Sequence, residues 1–174
     1  MADLFPSLVR RVLPRLGQLP AHNGGLQNWF VRGAYNGSLD QVSGNVVLSN
    51  VALTDLLDFI TYDYERFALA SWENFYLAGL ESETYKLVGW PLLKMYYAAF
   101  SAAHALMRGT GEAIVKIDRK QVDVLNEMIQ ATDGTSPNLK PGIFHSQIRE
   151  IQPGQVSVIL SPHAYGVHTI YLLQ

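Results

Sequence analysis

The chain has 174 residues, 13 basic and 15 acidic side chains, a formal charge of −2 and no cysteine. That length suits one globular domain, and the near-neutral charge gives no whole-chain field for nonspecific binding to nucleic acid or anionic membrane. The missing cysteines exclude disulfides, thiolate nucleophiles and zinc sites that need sulfur, and a cytoplasmic setting is the expectation. Charged residues make up only 16% of the chain against roughly 25% in average soluble domains, while 11% are aromatic, so part of the exterior is expected to be covered by another chain or a ligand.

Leu4, Phe5, Leu8, Val9, Val12, Leu13 and Leu16 form an apolar stripe interrupted by Arg10, Arg11 and Arg15. The pattern predicts a short amphipathic helix, limited by Pro6 and Pro14, and not a targeting segment. From Gly17 to Asn50 the glycines punctuate short apolar pieces, and residues 1–50 are taken as an N-terminal helix followed by a loop-rich connector. Asn36-Gly37 is a candidate hairpin turn. No phosphate-loop or dinucleotide-binding pattern is present.

Residues 51–152 are expected to form the core as a helical bundle. Leu56, Ile60, Tyr64, Phe67, Ser71 and Phe75 recur at steps of three and four, which predicts a helix over 51–80 capped by Ser49 or Asn50. Asp55 and Asp58 share its outward face, and Asp63 and Glu65 point elsewhere. Gly89-Trp90-Pro91 breaks the chain, with Pro91 placed in the first turn of a second helix running to about Arg108. That second helix is too short for a membrane span, and Lys94 and His104 would both lie in lipid, so it is expected to be the buried central helix. Twelve of the nineteen aromatic residues fall between Phe59 and Phe100, which assigns the main core to this helix pair.

Ala113–Ile117 is a candidate short strand, and Asp118 with Gln121 is a capping box for a helix from Arg119 to about Ala131. A helical turn is expected around Phe144–Ile151. Residues 153–174 are expected to form an appended hairpin from strands Gln155–Leu160 and Val167–Leu173. The predicted fold class is therefore mainly α, an antiparallel helical bundle with a small C-terminal β-hairpin.

Lys94, Tyr97, Ser101, His104 and Arg108 fall at steps of three, four, three and four, so they line one stripe of the second helix. An ammonium, a phenol, a hydroxyl, an imidazole and a guanidinium in line could bind phosphate or an RNA backbone, with His104 and Arg108 as candidate catalytic groups. The competing reading is the solvent face of an amphipathic helix. His145 and Arg149 repeat the His-x-x-x-Arg spacing. His22, His104, His145, His163 and His168 show no metal-ligand spacing, so neither a metal nor a cofactor is expected. No serine has a G-x-S-x-G setting. Trp72, Trp90 and Tyr96 are candidates for lining an apolar ligand pocket.

The run Trp90-Pro91-Leu92-Leu93-Lys94-Met95-Tyr96-Tyr97-Ala98-Ala99-Phe100-Ser101-Ala102-Ala103-His104-Ala105-Leu106-Met107-Arg108-Gly109-Thr110-Gly111 resembles the Tyr-Tyr-Ala-Ala-Phe-x-Ala-Ala helix of prokaryotic HEPN-type domains. The resemblance covers residues 90–111 and, as helix order, extends loosely over 51–132. It implies an all-helical and commonly dimeric scaffold from toxin–antitoxin and antiphage-defence systems that cut or bind RNA. The family's RNases carry an arginine followed four to six residues later by histidine; here no arginine has a histidine at that distance, and His104 precedes Arg108. The functional expectation is thus a noncatalytic subunit that binds a protein partner, with no membrane role. A homodimeric RNase and a small-ligand-binding bundle are the alternatives.

Overall fold

The computed structural model describes residues 12–15, 24–32, 34–85 and 88–163. The expected N-terminal helix falls almost wholly outside the described residues, as do the strand Val167–Leu173 and the histidines His22 and His168. The elements are α1 (Leu26–Arg32), β1 (Asn36–Leu39), β2 (Val46–Ala52), α2 (Leu53–Tyr85), α3 (Gly89–Thr110), β3 (Glu112–Ile117), α4 (Arg119–Asp133), β4 (Gly142–Gln152) and β5 (Gln155–His163), preceded by a 3₁₀ turn at Leu13–Arg15. The five strands form one antiparallel sheet in the order β1-β2-β5-β4-β3. This overturns the expected helical bundle with a terminal hairpin: the chain is a mixed α and β fold, and its sheet takes strands from all three expected segments.

Four segments account for the difference. The supposed connector holds α1, whose Leu26, Trp29 and Phe30 are buried at positions i, i+3 and i+4, and it also holds β1 and the start of β2. Asn36 and Gly37 lie inside β1, while the turn is made by Asp40–Asn45, where the Asp40 carboxylate accepts from the Val42 N–H at 3.0 Å and the Ser43 hydroxyl at 2.5 Å. Those bonds, the Ser43 hydroxyl first, hold the Asp40 carboxyl below its usual range. Residues 144–151 are strand and not helical turn, with Phe144, Ser146 and Ile148 facing inward at a period of two. β5 pairs with both β2 and β4, so it is the central strand and not part of an appendage.

Ser49 and Asn50 belong to β2 and cap nothing; Asn50 takes φ of +57° where the β2–β5 register shifts between Leu48 and Val51. The capping box of α4 forms as expected, with the Asp118 side chain accepting from the Gln121 N–H at 3.1 Å. α4 lies close against β1, because a Cβ on Gly37 would sit 2.8 Å from Ile129 Cγ1. The sheet edges are occupied: the Thr132 hydroxyl oxygen accepts the Gly37 N–H at 3.2 Å at β1, and at β3 the Lys116 carbonyl accepts from Gln27 Nε2 at 2.5 Å.

The main core lies between the sheet, α1, α4 and the first turns of α2, not within the helix pair. α2 contributes Leu53, Leu56, Leu57, Phe59 and Ile60, and beyond Asp63 the only buried apolar residue among its described side chains is Ala78. With 33 residues α2 spans about 50 Å, and its later turns pack chiefly on the antiparallel α3. No helix among the described residues is long and apolar enough to cross a membrane.

Tyr35 sits in the core with its hydroxyl donating to the Phe30 carbonyl at 2.5 Å and its ring 5.0 Å from that of Trp29. Burial pushes its phenol well above the ordinary value of 10.0. A pKa raised in the folded state gives stability that is complete below the unfolded value and falls as pH climbs above it. Denaturant titrations above about pH 10 are therefore expected to show less loss of stability in Tyr35→Phe than in wild type.

Candidate functional site

Helical spacing aligns Lys94, Tyr97, Ser101, His104 and Arg108, but the stripe faces α2 and not solvent. Ser101, His104 and Arg108 are buried, and Lys94 is ion-paired to Glu81 on α2. Tyr97 is the half-exposed member, its ring 5.4 Å from that of Tyr96. The polar-outside reading of this helix is thus reversed. Lys94 and Arg108 are also fourteen residues apart, about 21 Å along the axis, so one phosphate cannot touch both ends.

At the base of the hairpin the stripe meets Asp63, only 3% exposed. Asp63 Oδ2 accepts the Leu26 N–H at 3.0 Å and lies 3.8 Å from Arg108 Nε, while Oδ1 accepts from Arg66 Nη2 at 3.1 Å. Arg108 donates from Nη1 to His104 Nδ1 at 2.8 Å and from Nη2 to the Ile114 carbonyl of β3 at 3.4 Å. A guanidinium has no acceptor, so in this contact Nδ1 of His104 is the accepting atom. The Phe67 ring is stacked on His104 at 4.7 Å and carries the guanidiniums of Arg66 and Arg108, each 4.6 Å from its centroid. One carboxylate and one guanidinium therefore tie α1, α2, α3 and β3 together.

His104 is 4% exposed, enclosed by Phe67 and by the Phe100 ring at 4.5 Å. In this arrangement the ring is closed off from solvent. Arg108 instead forms part of the wall of a neighbouring cleft of about 450 Å³, open to solvent and lined also by Asn28, Tyr62, Asp63, Arg66 and Lys116.

The sequence places Asp63 away from the face of Asp55 and Asp58 but gives it no role. It lies three residues after Ile60 and four before Phe67, on the stripe read as apolar. A carboxylate in such a stripe requires a partner, which was the available signal.

A second surface lies further along the hairpin. Of the fifteen exposed large apolar side chains among the described residues, all but Val42, Val88 and Ile151 are on α2 or α3, including Trp72 at 67% and Trp90 at 64% exposure. Between the helices runs a groove of about 520 Å³ with Ala98, Ala99 and Ala102 among its lining and Trp72, Phe75 and Leu106 beside them. Trp72 thus lines an apolar groove as the sequence suggested, whereas Trp90 and Tyr96 are exposed outside its lining. α3 is not a buried central helix.

His145 and Arg149 lie on β4, where His145 Nε2 is 3.2 Å from the Glu112 carboxylate. No three histidine, aspartate or glutamate side chains converge as metal ligands among the described residues. Comparisons with protein families, with curated proteins and with solved structures returned no match.

Proposed function

We propose that the chain is a noncatalytic interaction subunit whose α2–α3 hairpin docks against a partner protein presenting an amphipathic helix with an apolar face and a basic flank. The observation that carries this reading is the concentration of exposed aromatic and aliphatic side chains on the hairpin. Six half-exposed or more exposed aromatics, at about 150–250 Å² each when fully buried, leave on the order of 600 Å² to cover. Aliphatic residues add to that, which brings the surface to the ~800 Å² per partner of a standard interface. The alanines of the groove allow a helix to approach closely.

The basic flank follows from charge. Lys94 and Arg66 are paired to Glu81 and Asp63, while Glu73 and Glu83 are exposed with no ion pair among the described residues. The enclosure of His104 and the order His104 before Arg108 support the noncatalytic part of the reading. A defence or toxin–antitoxin setting is supported by the resemblance of residues 90–111 to HEPN-type helices alone.

The test compares wild type with a Trp72→Glu/Leu106→Glu double variant, both purified gently from the native host. A stoichiometric companion that co-elutes with wild type and is lost from the equally folded variant is the expected result. A homodimer dissociated by the same variant would reassign the face to a second copy, and a monomeric wild type without a companion would remove the reading.

A further inference from the structure

The hairpin does not account for the cleft at its base. Three cations, Arg66, Arg108 and Lys116, line that cleft together with the single carboxylate of Asp63. The charged groups of the wall therefore sum to an excess of two positive charges. The Asp63 oxygens are already committed to the Leu26 N–H and to Arg66, and Lys116 has no ion pair among the described residues. Tyr62 and Asn28 add neutral hydrogen-bonding groups to the same wall. At about 450 Å³ the space is that of a small-molecule site.

We propose that this cleft binds a small phosphomonoester, its phosphate held between Arg66, Arg108 and Lys116. Charge selects the ligand. A monoester carries about −1.5 to −2 at neutral pH and offers three terminal oxygens, which matches the excess of two, whereas each phosphodiester of an RNA backbone carries one negative charge. Arginine suits such a group because its planar fork engages two oxygens at once. Burial fixes the contribution of Arg108: its guanidinium is set by His104, the Ile114 carbonyl and the Phe67 face, so it meets the ligand without reorganising. Arg66 and Lys116 are exposed and close the site from the solvent side.

The proposal is tested by calorimetric titration of the full chain at low and constant ionic strength with inorganic phosphate, adenosine 5′-monophosphate and the 5′-hydroxyl dinucleotide adenylyl-3′,5′-adenosine. Phosphate and the monophosphate are expected to bind, and Arg66→Gln and Lys116→Gln are each expected to weaken them by about tenfold. Both substitutions are at exposed positions, and unchanged circular dichroism confirms the fold. Lys120→Gln, on the exposed part of α4, is expected to bind as wild type does. Absence of binding by folded wild type at millimolar ligand overturns the site. So does equal weakening by Lys120→Gln, which would mark a diffuse field, and so does displacement of the monophosphate by an equal concentration of the dinucleotide, which would mark a phosphodiester site.

Discussion

Asp63→Asn is expected to lower the unfolding free energy by about 3 kcal/mol or more, the cost of leaving a buried guanidinium without its counter-charge. Asparagine keeps the shape of the side chain and an oxygen that can still accept the Leu26 N–H, so the loss isolates charge from capping. Arg108 cannot shed its proton to escape, and its position among Phe67, His104 and Ile114 leaves 4% of it exposed. The urea midpoint at constant slope reads the effect. Replacing both partners, Asp63→Asn with Arg108→Met, is expected to recover part of the loss, because an apolar side chain needs no counter-charge. A loss below about 1 kcal/mol in the single variant would mean that the carbonyls around Arg108 suffice without the carboxylate.

Phe30→Ala is expected to cost about 3–5 kcal/mol, since the ring is fully enclosed and its removal leaves a cavity among α1, the sheet and α4. Trp72→Ala removes a larger ring yet is expected to change stability by less than about 0.5 kcal/mol, because that ring is two-thirds exposed on the hairpin. The two unfolding curves measured side by side check where the core lies. Similar losses from both variants would return the core to the helix pair.

Which parts of this architecture were legible in the sequence depended on how local their causes were. The placement of Pro91 in the first turn of α3 and the capping box of α4 formed as expected, since each rests on contacts within a few residues, whereas Gly89 and Trp90 lie inside α3 and not in a break. α1 was missed because seven residues show only two turns of periodicity, and its burial comes from distant partners. In β4 the alternation Phe144, Ser146, Ile148 is broken chemically by a serine, which turned a period of two into an apparent helical turn.

The candidate stripe illustrates the same limit at the site. Spacing aligned His104 and Arg108, yet spacing cannot say which way a helix is turned, and charge alone suggested solvent. The opposite orientation is fixed by Asp63, forty-five residues before Arg108 in the chain. Enrichment in aromatics between Phe59 and Phe100 suggests a core, but much of it is exposed surface. Composition counts rings and carries no information on which of them are covered.

The placement of β5 in the middle of the sheet has a consequence for how the molecule assembles during synthesis. The β1–β2 hairpin and the β3–β4 pair cannot meet until the strand that lies between them has been made, about a hundred residues after β2. Helices α2 and α3, whose contacts are nearer in sequence, are complete well before that point. A chain emerging from the ribosome therefore displays the apolar hairpin first and closes its sheet last, by a slow long-range step. A partner that recognises the hairpin has its binding surface available during that interval, and its engagement would shield those side chains from aggregation while the sheet awaits its central strand.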